Sequence, residues 1–253
     1  KKKNFKEAEK LCNEYKLNQD LHILYNLKGI IFISLNDPRK AIENFQLSIN
    51  KKKDYLDAYS NLANVYFSVK NVLNSITTVR EALNYYPKNQ KLHFNLAFFL
   101  SENYQYQKAI EEYHQAIKFG YNKEEALNNI GNIYIDKKNY TKAKEYFLKC
   151  LEISSSNYLT INNLIRSLIL KKDFVEAEKY QKIADSLEIK NNIYFINKAE
   201  LLFFSKKYEE SKNILKDLCE KNKNDIGSHI SLSLIYSSLG EHDNSYNLLQ
   251  QAF

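Results

Sequence analysis

The chain has 253 residues, of which 44% are hydrophobic and 26% are charged. This composition supports a sizeable folded core and excludes a disordered or fibrous protein. No apolar run is long enough to cross a bilayer, so we expect no membrane insertion. The net charge of +7 arises from lysines interspersed with Glu and Asp, which indicates solvated helix faces and argues against specific nucleic-acid binding.

The cysteines are three in number and far apart, which argues against a disulfide framework. Cys12, Cys150 and Cys219 each fall where a helix would be buried, so we predict that they belong to the core. Free cysteines favour a reducing compartment, and we expect a cytoplasmic protein. Neither a CxxC nor an HExxH motif occurs, so the sequence predicts no metal site.

Small residues recur along the chain at every thirty-fourth position. They are Ala41, Ser75, Ala109, Ala143, Ala177, Ser211 and Ser245, and Ala8 precedes the first of them at a spacing that is shorter by a single position. Six of them have a large side chain one helical turn later, at Phe45, Val79, Tyr113, Phe147, Leu215 and Leu249. A period of this length with two amphipathic helices per repeat predicts a solenoid of helix pairs.

The first helix of each predicted pair, helix A, carries a recurring pattern of its own. In the second repeat the pattern is Tyr59, Leu62, Ala63 and Tyr66, and in the fourth it lies within LNNIGNIY, residues 127–134. This pattern, with its period of 34, resembles the tetratricopeptide repeat (TPR) family. The resemblance implies an all-α fold, a right-handed TPR superhelix (α-solenoid) of antiparallel helix pairs.

The resemblance covers essentially the whole chain. We predict seven repeats that begin at residues 22, 56, 90, 124, 158, 192 and 226, the last one clipped. Residues 1–21 are predicted to be the second helix, helix B, of a truncated repeat. The fifth repeat departs from the pattern, because Ile165 replaces the small residue of helix A and Gln181 the large residue of helix B. A kink in the superhelix and a local repacking are both open here.

Asparagine occupies the sixth place of five consecutive repeats, at Asn61, Asn95, Asn129, Asn163 and Asn197. The family resemblance implies that this part of helix A lines the concave surface. Such a column is similar to the asparagine ladder in the TPR domain of O-GlcNAc transferase, which holds the backbone of an extended peptide. A carboxamide offers a donor and an acceptor, so it can pair with a peptide unit without reading its side chain.

The predicted peptide-binding site has four further members, Asn64, Asn132, Phe94 and Phe98. The two phenylalanines bracket Asn95 and could form an apolar pocket beside the backbone clamp. The alternatives are that the asparagines are inherited consensus and that the two rings pack against the next repeat. Both alternatives stay open at this point.

A second binding mode of the family, capture of a terminal carboxylate by Lys, Asn and Arg side chains, is not expected. Asn132 and Asn163 would supply an adequate asparagine pair, but the cationic places hold Asn128, Ile193 and Asn197. A carboxylate would therefore find no fixed positive cage.

Two functions remain for this chain. The first is a protein-protein interaction module that binds an extended peptide along its concave face through the asparagines. The alternative is the substrate-recruiting TPR region of a larger transferase, similar to O-GlcNAc transferase, whose catalytic domain lies outside this chain. No catalytic constellation or phosphate-binding loop is evident, so we predict neither enzymatic activity nor a cofactor. The partner's identity and the oligomeric state are open.

Overall fold

The computed structural model describes residues 21–252. All regular secondary structure in this range is α-helical. The fourteen helices are α1 (Leu21–Ser34), α2 (Pro38–Lys51), α3 (Leu56–Ser68), α4 (Val72–Tyr85), α5 (Gln90–Glu102), α6 (Tyr106–Lys118), α7 (Lys123–Asp136), α8 (Tyr140–Leu151), α9 (Tyr158–Leu170), α10 (Phe174–Ser186), α11 (Asn192–Phe204), α12 (Tyr208–Lys221), α13 (Ile226–Ser238) and α14 (His242–Ala252). The truncated repeat predicted for residues 1–21, with Ala8 and Cys12, lies outside the described residues apart from Leu21.

The odd-numbered helices are the A helices, and each packs against the B helix that follows it. The connection within a pair is only a short turn, so the two helices run antiparallel. Within each unit, neighbouring pairs are joined because B helices also contact the next A helix, and in the second unit α9, α11 and α13 also pack against one another in turn. The predicted all-α fold of antiparallel helix pairs is confirmed.

The chain divides into two compact units, Lys1–Ala126 and Leu127–Phe253. The first contains α1–α6 and the start of α7, and the second contains the rest of α7 and α8–α14. The predicted binding residues are divided between them. The first unit holds Asn61, Asn64, Phe94, Asn95 and Phe98, and the second holds Asn129, Asn132, Asn163 and Asn197.

Glycine on an A helix makes room for an aromatic ring of the following B helix. Gly29 lies against Phe45 in this way, and Gly131 lies against Phe147. An added Cβ at either glycine would stand only 2.4 Å from a ring carbon. Both rings are fully buried. The recurring small and large residues of the sequence are therefore two halves of one helix-to-helix contact.

Serine at the small place of a B helix bonds to the backbone of its A helix. Ser75 Oγ donates to the carbonyl oxygen of Ala63 at 3.0 Å, and Ser211 Oγ donates to that of Ala199 at 2.7 Å. Both hydroxyls are buried, and each gains a partner without adding bulk. A serine can thus replace alanine at this place and keep the two helices close.

The fifth pair departs from this size pattern, because both of its facing residues, Ile165 and Gln181, are large. Ile165 on α9 is fully buried in the same core cluster as Ala177 on α10, and Gln181 takes the place that a large apolar residue has in most other pairs. A larger apolar side chain on the A helix thus faces a side chain on the B helix that has less apolar volume than those of most other pairs. The packing of this pair thus differs from that of the pairs with a glycine on the A helix.

Every turn from an A helix to its B helix contains one residue with a left-handed backbone, and these residues follow the same period as the small residues. They are Asn36, Lys70, Tyr104, Lys138, Lys172, Lys206 and Gly240. After α7, the amide of Lys138 (φ 57°) bonds to the oxygen of Ile135, and that of Asn139 bonds to the oxygen of Tyr134. This pair of hydrogen bonds defines a Schellman motif at the end of the helix, and glycine is the preferred residue at its left-handed position.

Replacing Lys138 with glycine should therefore stabilise the second unit by about 1 kcal/mol, since a left-handed backbone strains any residue with a Cβ. Lys137 precedes it in the same turn, is also exposed, and does not have a left-handed backbone. Lys137→Gly is thus the matched control and should be neutral or destabilising. Thermal unfolding of the two variants beside the parent measures the difference, and equal shifts would contradict the strain.

Candidate functional site

The predicted asparagines differ in their exposure. Asn64 is exposed, and five others are half-buried, namely Asn61, Asn95, Asn129, Asn132 and Asn163. Asn197 is 0% exposed. A ligand cannot reach the Asn197 side chain in this structure.

Three members of the asparagine column hold neighbouring A helices together. In each, the side-chain Nδ2 donates to the residue 35 places earlier: Asn61 to Asn26 Oδ1 at 2.9 Å, Asn163 to Asn128 Oδ1 at 3.1 Å, and Asn197 to the backbone oxygen of Asn162 at 2.9 Å. These bonds give the asparagines a role within the fold, which offsets their poor helix propensity.

The hydrogen-bonding capacity that remains differs between positions. A carboxamide has two N–H donors and an acceptor oxygen, so Asn163 keeps one donor and its oxygen after bonding to Asn128. Within residues 21–252 no hydrogen bond occupies the side chains of Asn129 and Asn132. In the second unit, the asparagines that can still pair with a ligand are therefore Asn129 and Asn163 of the column and the neighbouring Asn132.

Phe94 and Phe98 have separate ring partners. Phe94 is half-buried and stacks on Tyr121 with ring centres 4.1 Å apart. Phe98 is 36% exposed and meets Phe67 of α3 edge to face at 5.2 Å. Burial and then the charge of Glu125 raise the pKa of Tyr121 to about 12, so its hydroxyl stays protonated and donates to Glu125. Of the two rings, Phe98 is the more exposed to a ligand.

A cleft in the second unit lies across three consecutive A helices, α9, α11 and α13. We call it the A-face cleft, and its volume is about 320 Å³. Its apolar lining consists of Ile169, Leu170, Phe203, Phe204, Leu234 and Ile235. Leu234 is 62% exposed and Phe204 is 48% exposed, although large apolar side chains are usually buried. The cleft therefore offers contiguous apolar surface to a ligand.

An ion pair between α9 and α11 belongs to the polar part of the cleft wall, together with Lys172, Ser231 and Ser238. Arg166 Nη1 bonds to both carboxylate oxygens of Glu200, at 2.6 and 2.5 Å. The side chains are 39% and 20% exposed, so the pair is partly shielded from water. Pairing neutralises both charges, while the other guanidinium N–H groups of Arg166 keep free hydrogen-bonding capacity. The ion pair thus contributes donors but no net charge, and the charge that remains in the lining is that of the exposed Lys172.

The A-face cleft was not predicted from the sequence. Its residues follow the same period, since Arg166, Glu200 and Leu234 share one place of the repeat, and Phe204 shares another with Leu170. Arg166 lies one helical turn after Asn163, which puts both on one helix face. The signal that could have revealed the cleft is this accumulation of apolar residues beside the asparagine column towards the C-terminus.

The described residues offer no sign of a metal centre or a membrane span. Among residues 21–252, no three His, Cys, Asp or Glu side chains are grouped so that they could hold a metal ion. No helix in that range combines the length and the apolar character needed to span a membrane. His93 contacts Glu112 Oε2 at 2.6 Å and the oxygen of Pro87 at 3.0 Å, so both ring nitrogens have partners within the fold.

Two stretches of the sequence match models of the tetratricopeptide repeat family. They are residues 79–111 and residues 124–157, and the second is the span predicted for the fourth repeat. The chain therefore contains tetratricopeptide repeats. A comparison with curated proteins found no match.

Solved structures with the same fold cover most of the chain. A tetratricopeptide repeat protein from Parabacteroides merdae has a TM-score of 0.79 and 18% identity, covering 91% of each chain. PilF of Pseudomonas aeruginosa has a TM-score of 0.66 and 17% identity, covering 87% of this chain and 97% of its own. YrrB, described as a TPR protein with an unusual peptide-binding site, has a TM-score of 0.52 and 14% identity, covering 74% of this chain and 96% of its own. At these identities the likeness concerns the fold.

Proposed function

We propose that this chain is an interaction scaffold that binds a segment of a partner protein on the A helices of its second unit. A large apolar side chain of the partner enters the A-face cleft, and the partner's backbone pairs with Asn129, Asn132 and Asn163. The observation that carries the proposal is the exposed apolar cleft beside carboxamides that still have free hydrogen-bonding groups. Concave repeat surfaces commonly bind extended partners.

The cleft also defines the chemistry of the partner. Its lining is mostly apolar, its ion pair of Arg166 with Glu200 is internally neutralised, and its remaining charge is that of Lys172, so a cationic anchor would be desolvated without compensation. A leucine, isoleucine or phenylalanine anchor would bury apolar area on both sides. The free N–H groups of Arg166 can donate to a backbone carbonyl oxygen of the partner next to the anchor.

Burial limits the asparagine column as a ligand site. The Asn197 side chain is fully buried and bonds to the backbone of Asn162, so Asn163 is the last asparagine of the column that we propose to contact the partner's backbone. The first unit keeps a separate predicted peptide-binding surface, formed by Asn61, Asn64, Phe94, Asn95 and Phe98. The likeness to the asparagine ladder of O-GlcNAc transferase, and recruitment for a transferase, also stay predictions.

The test is to select the tightest ligand from an array of short synthetic peptides and to titrate its fluorescent form against variants. Leu234→Asp should weaken binding at least about tenfold, because the carboxylate would stand in the apolar cleft. Val175→Asp on α10 makes the same change at an apolar side chain that is 85% exposed and outside the cleft, and it should bind like the parent. Equal affinity of both variants would refute the cleft as the site.

The asparagines are tested in the same titration. Alanine at Asn129, Asn132 and Asn163 together should weaken the peptide by about 0.5–1.5 kcal/mol for each lost hydrogen bond. Thermal melts of this variant separate ligand contacts from the structural bond that Asn163 makes with Asn128. Unchanged affinity would mean that the column is inherited consensus, and an unfolded variant would mean that it is structural.

A further inference from the structure

The junction between the fifth and sixth helix pairs carries polar side chains at places that are apolar in most other pairs. We call Gln181, Asp185, Tyr194 and Lys198 the polar junction. Three of these places hold apolar residues in the other repeats. The place of Gln181 holds Phe45, Val79, Tyr113, Phe147 and Leu215, and that of Asp185 holds Ile49, Leu83, Ile117, Leu151 and Cys219. The place of Lys198 holds Leu62, Leu96, Ile130, Leu164 and Leu232, and Lys28 in the first pair is the exception. Packing between repeats has thus been replaced by polar side chains.

These side chains bond to one another around a single carboxylate oxygen. Asp185 Oδ1 accepts from Tyr194 Oη at 2.6 Å, from Lys198 Nζ at 3.1 Å and from Gln181 Nε2 at 3.2 Å. Burial would raise the pKa of Asp185, but these hydrogen bonds outweigh it and lower the pKa. Burial would likewise lower the pKa of Lys198, but its bonds to Tyr194 and Asp185 raise it. This network supplies the polar part of the α10–α11 contact, beside the stack of Phe174 on Phe204.

Unpaired buried polar atoms concentrate around the same junction. Among the described residues, the buried side-chain oxygens without a protein partner are Asn162 Oδ1, Gln181 Oε1 and Asn197 Oδ1. They lie on α9, α10 and α11, the three helices that meet there. Each unpaired buried acceptor loses hydration without a replacement, so it weakens the packed state relative to an opened one.

The apolar core of the second unit also divides at α11. Of the buried residues of this helix, Tyr194 and Leu201 join the cluster formed by α8, α9 and α10. Ala199, on another face, joins the separate cluster formed with α12 and α13. Apolar contacts with the preceding pair therefore remain, through Tyr194, Leu201 and the stack of Phe204 on Phe174 at 4.2 Å, so the polar residues at Gln181, Asp185 and Lys198 weaken this contact without removing it.

We infer that the polar junction is a local opening point, at which α11 separates from α9 and α10 and loses helical hydrogen bonds while the fifth pair stays folded. Repeat proteins derive their stability from each repeat plus its contacts with the next, so the weakest contact opens first. The A-face cleft spans this junction between Arg166 and Glu200, so opening would change its width. This last consequence rests on the proposed function, whereas the opening itself does not.

Hydrogen exchange of the complete chain, followed by mass spectrometry, tests the opening without any ligand. After correction for intrinsic rates, amides of residues 194–203 in α11 should exchange at least about tenfold faster than amides of residues 161–169 in α9. Equal protection of the two segments would overturn the inference. Because no peptide is present, the result is independent of the proposed binding function.

A variant with an apolar junction tests whether the polar side chains cause the opening of α11. Gln181→Leu, Asp185→Leu and Lys198→Leu together restore the usual residue types, and Tyr194→Phe in the same variant leaves no hydroxyl unpaired. This variant should slow exchange of residues 194–203 by about tenfold and leave residues 161–169 unchanged. A folded variant with unchanged exchange in α11 would overturn the inference.

The converse variant moves the polar set to the next junction. Leu215→Gln, Cys219→Asp and Leu232→Lys should accelerate exchange of residues 228–236 in α13 and leave α9 unchanged. A folded converse variant with unchanged α13 exchange would also overturn the inference. Should neither variant fold, the comparison of α11 with α9 in the parent decides the question alone.

Discussion

Replacing Phe147 with alanine should lower the free energy of unfolding by about 3–5 kcal/mol. The ring is 0% exposed and belongs to the largest core cluster described in the second unit, between Gly131 on α7 and the residues of α9. Truncation removes its buried apolar area and leaves a cavity that the two rigid helices cannot close. The thermal midpoint should fall by roughly 10 °C, at about 2–4 °C per kcal/mol for a chain of this size.

Tyr134→Ala provides the control for this prediction. Tyr134 lies on α7 in the same part of the fold and has a ring of similar size, but it is only half-buried, with Tyr146 stacked at 5.4 Å and Lys142 over its face. Its truncation should cost distinctly less than that of Phe147, since part of the ring remains in water. Equal losses for the two variants would contradict the assignment of Phe147 to the centre of the pair.

The helix pairs were predictable because one sequence period specifies several physical requirements at once. Gly131 is small enough, and Phe147 large enough, for α7 and α8 to pack closely. Between them, Lys138 with its left-handed backbone ends α7, and Asn139 caps the start of α8. All of these are either local or recur with the period of the repeat. Agreement of the local preferences with the long-range packing is what makes such a pattern readable.

The site was less predictable because exposure depends on the neighbouring helix. Asn163 and Asn197 share one place of the repeat, yet the first is half-buried and the second fully enclosed. The difference arises from the partner that each amide finds, a side-chain oxygen of Asn128 or the backbone oxygen of Asn162. Periodicity assigns a residue to a helix face, but it does not specify how deeply the next repeat covers that face.

The Arg166–Glu200 pair illustrates the same limit. The two residues stand one repeat apart, and either could have pointed into water or paired along its own helix. Their contact depends on the packing of α9 against α11, which the sequence period implies only in outline. For this reason the A-face cleft, which they border, could not be assigned from sequence alone.

Replacing Gly131 with alanine should destabilise the chain by about 1–3 kcal/mol, although alanine is the better helix former by about 0.5–1 kcal/mol. The added Cβ would lie 2.4 Å from Phe147 Cε1 and 2.8 Å from both Cδ1 and Cζ. The ring is fully buried and cannot swing into solvent, so the two helices must move apart. Gly227→Ala, where a Cβ meets nothing nearer than 3.6 Å, is the control and should not be destabilising.

The second repeat of this chain indicates which change should rescue the Gly131 variant. Ala63 and Val79 occupy there the places of Gly131 and Phe147, and both are fully buried. Val79 is smaller than a phenyl ring, so alanine fits opposite it. Phe147→Val should therefore remove the clash, and the double variant should be more stable than the sum of the two single losses by about 1–3 kcal/mol. Unfolding of the four proteins in one denaturant series measures this coupling. Strict additivity would mean that the glycine and the ring do not constrain each other, and that the size alternation of the repeats has another cause.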